Sequence, residues 1–502
     1  MHVAVERETK LEAGLEFVLP DLGPVVGRTR VLEPLELWSS YFDTRDLRLW
    51  EHGVTLRHRR GEADGPGVWT LKVPHGTAEV GVERAEHTWS APLDGMPSEV
   101  RGLVQGLARS EPLRVVAELE CLRRRVRLVD PGGTPVGEVD DDTVTVHGGR
   151  QDGHRFREVE LEVPAWDPRT REVLDRLVAA GARPGPSAPK LERALGPPSE
   201  VSRYRVVRDR EATTIADVVR AAVDGSLSRL LENDLLLRSH PGDPPVEAVH
   251  RGRVAARRLR SDIRTLSPLL DPVWTVHVSD DLRWLGAALG RVRDIDVLTG
   301  RLVHERATGA IDPEGLAVLL SALRTERTEA ARALGAVLED RRYLTLLDKL
   351  HAAAGGPPIA RPGMADRDAG DVLPLLVRQA WKRLHRRVRR ARKDASDHRL
   401  HQVRIGAKQL RYGAELAAPV IGPAAARTAR RAKRLQTVLG DHQDAVAARA
   451  WLERWSEAGP PIAAFAAGQV AAGEARRRME ARSRWEEHWH RLGDGRARSW
   501  LA

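Results

Sequence analysis

The segment VHRGRVAARRLR (residues 249–260) returns 151 residues later as LHQVRIGAKQLR (residues 400–411). At ~100° per residue, His250, Arg253, Arg257 and Arg260 fall within about 80° of one another on a helix. Ala255, Ala256, Leu259, Ile263 and Leu266 lie roughly opposite. The second copy repeats the arrangement with His401, Arg404, Lys408 and Arg411. A helix of this kind packs by its apolar face and offers the cationic row to an anion. A single basic run would read as a solvated surface; a repeated one, led each time by histidine, reads as a binding face.

The repeat extends outward from these rows. ALGRVRDIDVL follows the first and VLGDHQDAVAA the second, so Leu289-Gly290 matches Leu439-Gly440 at an offset of 150, and Asp294 matches Asp444. A helix is expected before each row, at Thr214–Leu237 and Val372–Lys393. Further helices are expected near Ser279–Ala307, Pro313–Glu339, Tyr343–Ala353, His398–Ala417, Ala424–Ser456 and Pro461–Leu492. The breaker-rich segment Gly355–Gly370 separates the copies, about 211–354 and 371–502. Two related bundles are expected, with both rows flanking one shared groove. Asp294 and Asp444 read as ion-pair partners of the rows. Arg264 extends the first row by a turn, while the arginines from Arg386 to Arg390 read as solvated surface.

Charge divides the chain. Residues 1–200 hold 27 Lys and Arg against 34 Asp and Glu, a net −7, whereas residues 201–502 carry a net +17. The basic part should attract a polyanion, with salt-dependent affinity. Aromatic residues make up 4% of the chain and no nucleic-acid module is visible, so nucleic acid is a poorly supported partner. A single cysteine, Cys121, excludes a disulfide framework and a cysteine-based zinc site. No run of about 18 apolar residues exists to span a bilayer. The charged start MHVAVERETK is unlike a signal peptide, so a cytoplasmic location is expected.

Before a proline-rich boundary, which places a linker at 199–210, the pattern has period two. Strands are expected at Val3–Lys10, Glu36–Phe42, Val54–Arg60, Val68–Val73, Val80–Trp89, Val115–Leu128, Val136–Val146 and Phe156–Val163, with a helix near Thr170–Ala180. Nearly every strand carries a charged row. Glu6, Glu8 and Lys10 share a face, as do Arg57 and Arg59, Arg84 and Glu86, Arg123, Arg125 and Arg127, Glu138, Asp140 and Asp142, and Glu158, Glu160 and Glu162. Alternate positions are apolar. If those pack outward on helices, the charged rows line an interior, which is costly unless it binds something. Basic groups there can neutralise phosphates, and clustered carboxylates can hold Mg²⁺ or Mn²⁺.

Glu6-Arg7-Glu8-Thr9-Lys10, with YFDT at Tyr41–Thr44, LRHRR, WTLKV and ELEV in order, resembles the CYTH, or triphosphate tunnel metalloenzyme, superfamily over residues 1–198. The resemblance implies an antiparallel eight-stranded β-tunnel barrel that binds triphosphate with divalent metal. Its members hydrolyse inorganic or thiamine triphosphate, or cyclise ATP. By position it implies Glu6, Glu8, Glu158 and Glu160 as metal ligands. It also implies catalytic roles for Glu6, Glu8, Lys10 and Glu86, and phosphate binding by Arg57, Arg59, Lys72, Arg84, Arg125 and Lys190. HRGRVAARRLR, LGRVRDIDVL, HQVRIGAKQLR and LGDHQDAV resemble the CHAD, or conserved histidine α-helical, family over residues 211–502. This implies an all-α duplicated bundle that binds inorganic polyphosphate through the two rows. The expected function is metal-dependent hydrolysis of triphosphate joined to polyphosphate binding, with association to polyphosphate granules. The alternatives are a non-catalytic polyphosphate-binding protein and an adenylate cyclase-like tunnel.

Overall fold

The computed structural model describes residues 2–62, 64–74, 82–148, 151–184, 190–196, 212–309, 311–493, 495 and 499–501. Contacts divide the chain into a β unit, residues 1–207, and a helical unit, residues 208–502. The linker expected at 199–210 lies outside the described residues.

The β unit has strands β1 (His2–Ala13), β2 (Arg28–Val31), β3 (Leu35–Asp43), β4 (Thr55–Arg60), β5 (Val68–Pro74), β6 (Val82–Ser90), β7 (Arg114–Val129), β8 (Pro135–His147), β9 (Arg155–Glu162) and β10 (Arg183–Pro184). Between them run helices α1 (Gly23–Val26), α2 (Arg48–Glu51), α3 (Ser98–Ala108), α4 (Pro168–Ala179) and α5 (Lys190–Leu195). All pairings are antiparallel. The path runs β1-β6-β5-β4-β3-β7-β8-β9, and β1 pairs with β6 through His2–Glu8 and with β9 through Glu8–Ala13. The sheet has ten strands, not the eight expected. The two extra ones are short and have a plain cause: β7 and β1 outrun their neighbours. β2 takes the free edge of β7 at Val126–Val129, and β10 takes that of β1 at Leu11–Glu12. Backbone donors and acceptors left at such edges need partners.

The two faces of the sheet differ. Leu11, Leu128, Val139, Val159 and Leu161 point to one face and are buried with Val173 and Leu177 of α4. The opposite face carries the charged rows. At one end this face turns apolar, because Leu37, Leu119, Cys121, Val144, Val146 and Phe156 pack on Leu191, Ala194 and Leu195 of α5. That contact fixes α5 and therefore its first residue, Lys190.

The helical unit comprises α6 (Ile215–Arg238), α7 (Val246–Leu266), α8 (Pro272–Thr308), α9 (Pro313–Glu339) and α10 (Arg341–Gly355), then α11 (Ala369–Lys393), α12 (Asp397–Ile421), α13 (Pro423–Ala458) and α14 (Pro461–Leu492). α7 carries the first basic row and α12 the second. Ala255, Ala256, Leu259, Ile263 and Leu266 are buried on α7, as are Val403, Ala407, Leu410 and Ala414 on α12. The two copies share a core in which Leu298, Leu302, Leu316, Leu319 and Leu323 meet Ala448, Trp451, Leu452, Ala463 and Ala467. They are also joined where they begin: the Ile215 N–H donates to the Arg367 carbonyl, and the Ala369 N–H to the Thr213 carbonyl. Among the described residues no helix is long and apolar enough to cross a membrane.

Candidate functional site

In the β unit a cavity of about 230 Å³ opens on the charged face. Period-two alternation puts side chains there from eight strands: Glu8 and Lys10 from β1, Tyr41 from β3, Thr55, Arg57 and Arg59 from β4, Lys72 from β5, Arg84 and Glu86 from β6, Arg123 from β7, Asp140 from β8, and Glu160 and Glu162 from β9. Glu62 and Lys190 complete it. Apart from Tyr41 and Thr55, every described lining residue is charged, which suits a small, highly charged ligand and offers little to an apolar one.

Acidic and basic groups are paired throughout the cavity. Lys190 Nζ lies 2.8 Å from Asp142 Oδ2, 2.5 Å from Glu158 Oε1 and 2.9 Å from Glu160 Oε1. Arg123 is bidentate to Asp142, with Nε at 2.8 Å and Nη2 at 2.7 Å, and its Nη2 lies 2.9 Å from Glu160 Oε2. Arg123 also pairs with Asp140. Lys10 pairs with Glu160 and lies 3.4 Å from Glu8. The other cations lining it are Arg57, Arg59, Lys72 and Arg84. Lys72 lies 3.4 Å from Glu86, its cross-strand partner, and Arg59 lies 2.6 Å from Glu62.

Burial is the largest influence on each carboxyl paired with Lys10, Arg123 or Lys190. For Glu160 it is outweighed by Lys10, Lys190 and Arg123, which hold it well below the usual carboxylate range. Lys10 and Lys72 likewise pull Glu8 down against its burial, and Lys190 and Arg123 do so for Asp142. Burial prevails at Glu158, which is raised, and at Asp140, which is pushed up to about 7. Burial would also raise the Tyr41 hydroxyl, but Arg57 and Arg59 turn the net shift downward. This end of the cavity is therefore a dense, desolvated lattice of opposite charges.

The donor set suits a hard divalent cation provided that Lys190, whose Nζ bonds to Asp142, Glu158 and Glu160, moves aside. Asp142, Glu158 and Glu160 each present an oxygen, and these atoms lie within 4.8 Å of one another. Asp140 Oδ1 is buried with no hydrogen-bond partner among the described residues, leaving a further oxygen nearby. All-carboxylate sets of this kind suit Mg²⁺ or Mn²⁺.

Several residues singled out in the sequence meet in this cavity: Glu8, Lys10, Arg57, Arg59, Lys72, Arg84, Glu86, Glu160 and Lys190. Glu158 stands beside it, bonded to Lys190. Glu6 lies in β1 opposite Arg84, but its side chain falls outside the described residues. Arg125 is turned toward Glu138, 3.7 Å away, and does not line the cavity. Arg123 and Asp142 are central, yet sequence reasoning gave neither a role. The signal existed, because Arg123 shares a face with Arg125 and Asp142 with Asp140. What alternation cannot give is depth along a strand. Of the other carboxylates in these rows, Asp140 and Glu162 line the cavity, Asp142 lies behind Arg123, and Glu138 pairs with Arg125 and Arg127.

In the helical unit the two basic rows converge. Lys408 of α12 is lowered to about 8, first by burial and then by Arg257, Arg404, Arg260 and Arg253, which come from both rows. Burial and Arg257 and Arg253 of α7 likewise lower Arg404, against the pull of Asp444. The LG motifs supply the seats. Arg253 Nη1 donates to the Gly290 carbonyl at 2.7 Å, and a Cβ at Gly290 would stand 2.9 Å from that nitrogen. In the second copy, Arg404 Nε lies 3.8 Å from the corresponding point at Gly440. Arg253 is also 2.9 Å from Asp294. His250 is half-buried near Arg293, and His401 Nδ1 is 2.8 Å from Gln443 Oε1. Arg411 turns to Glu415 at 2.7 Å, which also pairs with Arg258 of the first copy at 2.5 Å. Arg257 Nε and Arg404 Nε are buried with no hydrogen-bond partner among the described residues.

Comparison with known proteins matches a CYTH domain model over residues 30–186 and a CHAD domain model over residues 221–453. Two uncharacterised proteins from two strains of Mycobacterium tuberculosis, MT2285 and Rv2226, are each 32% identical over 485 residues, covering 89% of this chain and 88% of the relative. Among solved structures, PptA from Streptomyces chartreusis is similar at 22% identity with a TM-score of 0.46, covering 56% of this chain and 100% of its own. The CHAD domain from the plant Ricinus communis is 22% identical with a TM-score of 0.47, covering 56% of this chain and 93% of its own.

Proposed function

Because the chain belongs to the family of proteins that join a CYTH domain to a CHAD domain, we propose that its β unit hydrolyses inorganic triphosphate, or a related triphosphate, with Mg²⁺ or Mn²⁺, and that its helical unit binds polyphosphate. The observation that carries the first part is the cavity lined almost wholly by charged side chains of both signs. The pairing of β1 with both β6 and β9 supports a sheet that wraps around it as a tunnel.

Arg57, Arg59, Lys72 and Arg84 hold the phosphate oxygens by charge-assisted hydrogen bonds. Lys10 and Lys190 face the same ligand. Glu158 and Glu160, with Glu6 and Glu8 of β1, would hold the divalent ion in place of the Lys190 ammonium, while Asp142 stays paired with Arg123. When bound, that ion supplies charge neutralisation at the phosphate oxygens and a more acidic water. Glu8 and Glu86 orient the attacking water, and the remaining lattice keeps every group in place without reorganisation. Among the described residues the lining offers little apolar surface to an adenine ring beyond Tyr41, which favours inorganic triphosphate over cyclisation of ATP.

The test is phosphate release from triphosphate with Mn²⁺ or Mg²⁺. Glu8→Ala should lower it by about 100-fold or more, and release that survives the substitution defeats the site assignment. Cyclic AMP formed from ATP would favour the cyclase. For the helical unit, the convergence of both rows on Lys408 supports one anion-binding face. Long-chain polyphosphate should outcompete single-stranded RNA at physiological salt, and a preference for RNA sinks this part.

A further inference from the structure

The helical unit holds a cavity of about 300 Å³ where α8 and α9 of the first copy meet α13 of the second. None of the residues lining it belongs to either basic row. Its walls come in matched pairs. At the offset of 150, Val297 corresponds to Ala447, Leu298 to Ala448 and Arg301 to Trp451, and all six line the space. Equivalent turns of α8 and α13 therefore meet here, and the second copy opens the gap by placing alanines where the first has valine and leucine. A void left between packed helices forfeits the contacts of its walls. Repeating the first copy's residues would have closed it.

The lining is apolar on one side and polar on the other. Leu298, Leu323, Ala448 and Trp451 are buried and give it an apolar floor. Two of its carboxylates are already countered: Asp294 by Arg253 at 2.9 Å, and Asp444 by Arg301, 4.0 Å away. The third, Glu326, has no cationic partner among the described residues. Its two oxygens lie 3.0 and 3.3 Å from Trp451 Nε1, which donates to them. That contact fixes the carboxylate and leaves each oxygen free to accept again. Arg291 and Arg454 also line the cavity; both are exposed, and neither has a carboxylate partner among the described residues.

We infer that this cavity is a binding site for a guanine mononucleotide. A flat heterocycle suits an apolar floor that includes an indole, because every base has a face to stack. Guanine carries N1–H and the N2 amine side by side, a donor pair that one fixed carboxylate accepts together. Adenine sets an acceptor nitrogen beside its amine and would leave that nitrogen against Glu326. Arg291 and Arg454 then take the phosphate on the open side. The volume is at the low end for small-molecule sites, which run from roughly 300 to 1,000 Å³, and so suits one nucleotide and not a chain.

The test is calorimetric titration of the full-length protein with GMP, beside AMP, guanosine and inorganic phosphate. GMP should bind about tenfold or more tightly than AMP and more tightly than guanosine, and inorganic phosphate should not displace it. Glu326→Gln keeps an acceptor for Trp451 but loses the charge, so it should weaken GMP about tenfold and remove the preference over AMP. Arg454→Gln should weaken GMP and leave guanosine unchanged. Ala448→Leu restores the first copy's residue and fills the space, so it should abolish GMP binding while the melting temperature holds or rises. Ala447→Val, at an exposed position, makes a smaller filling and should weaken GMP even if Ala448→Leu does not fold. No binding at millimolar GMP overturns the site, and equal affinity for AMP overturns the guanine reading. GMP binding that persists in Ala447→Val and Ala448→Leu and weakens only with salt places the nucleotide on the basic rows, and also overturns the site.

Discussion

Lys190 shows how much one side chain can organise. Its ammonium is shared by Asp142, Glu158 and Glu160, all buried. Lys190→Met leaves those carboxylates without that partner, and breaking such buried pairs costs about 3–5 kcal/mol. Urea unfolding should show a loss of this order at neutral pH and a smaller one in acid, where the carboxyls are protonated. A loss under about 1 kcal/mol, as for an exposed ion pair, would place the ammonium outside the lattice. Lys408 makes a different prediction. Burial and four arginines lower its pKa to about 8, against 10.5 for an ordinary lysine. Above pH 8 the free protein holds it neutral, while a polyanion laid over it favours the charged form. Binding at about pH 8.5 should therefore take up a proton, and affinity should fall as the pH rises through 8. The empty fold responds in the opposite direction: it gains stability as the pH rises from 8 to 10.5, where an unfolded lysine binds the proton and the folded one does not. Calorimetry in two buffers of different ionisation enthalpy reads the uptake, and Lys408→Arg should abolish it.

At the scale of elements, α9 of the first copy lies hard against α14 of the second. A Cβ on Gly315 would stand 2.2 Å from the Ile462 carbonyl oxygen and 2.8 Å from Ala466 Cβ. Neither is the flexible end of a side chain, so Gly315→Ala must part the helices, at about 1–3 kcal/mol. A thermal melt equal to wild type would contradict that contact. The strands were the most legible elements, because alternation of charged and apolar residues marks both their extent and their faces. What alternation could not reveal was context. The inner end of β7 and β8 turns apolar only because α5, six residues long, lies against it, and KLERAL is too short to announce itself. α3 was missed because Gly102 and Gly106 interrupt its pattern. α8 begins at Pro272 rather than near Ser279, since the β-branched run VWTVHV reads as a strand although Asp271 caps it by accepting from the Trp274 N–H. In the helical unit the rows themselves were legible, but the orientation of Arg411 depended on Glu415.

For the whole molecule, the division of charge and the duplication of the helical unit have separate consequences. Binding by the basic unit should weaken steeply with salt, whereas the buried lattice of the β unit should be far less sensitive. Melting across a salt series, with and without polyphosphate, separates the two. A core drawn from both copies also means that neither could bury its apolar surface alone. Residues 212–355 and 369–501 expressed as separate chains should co-purify, and monomeric soluble halves would contradict this.

The reciprocal backbone bonds of Thr213 and Ile215 with Arg367 and Ala369 give the intervening segment an unexpected status. It behaves as a clasp fastened at its far end, not as a slack hinge. A protease nick between Gly355 and Arg361 would then be silent on a sizing column: the severed pieces would travel together and part only when denatured.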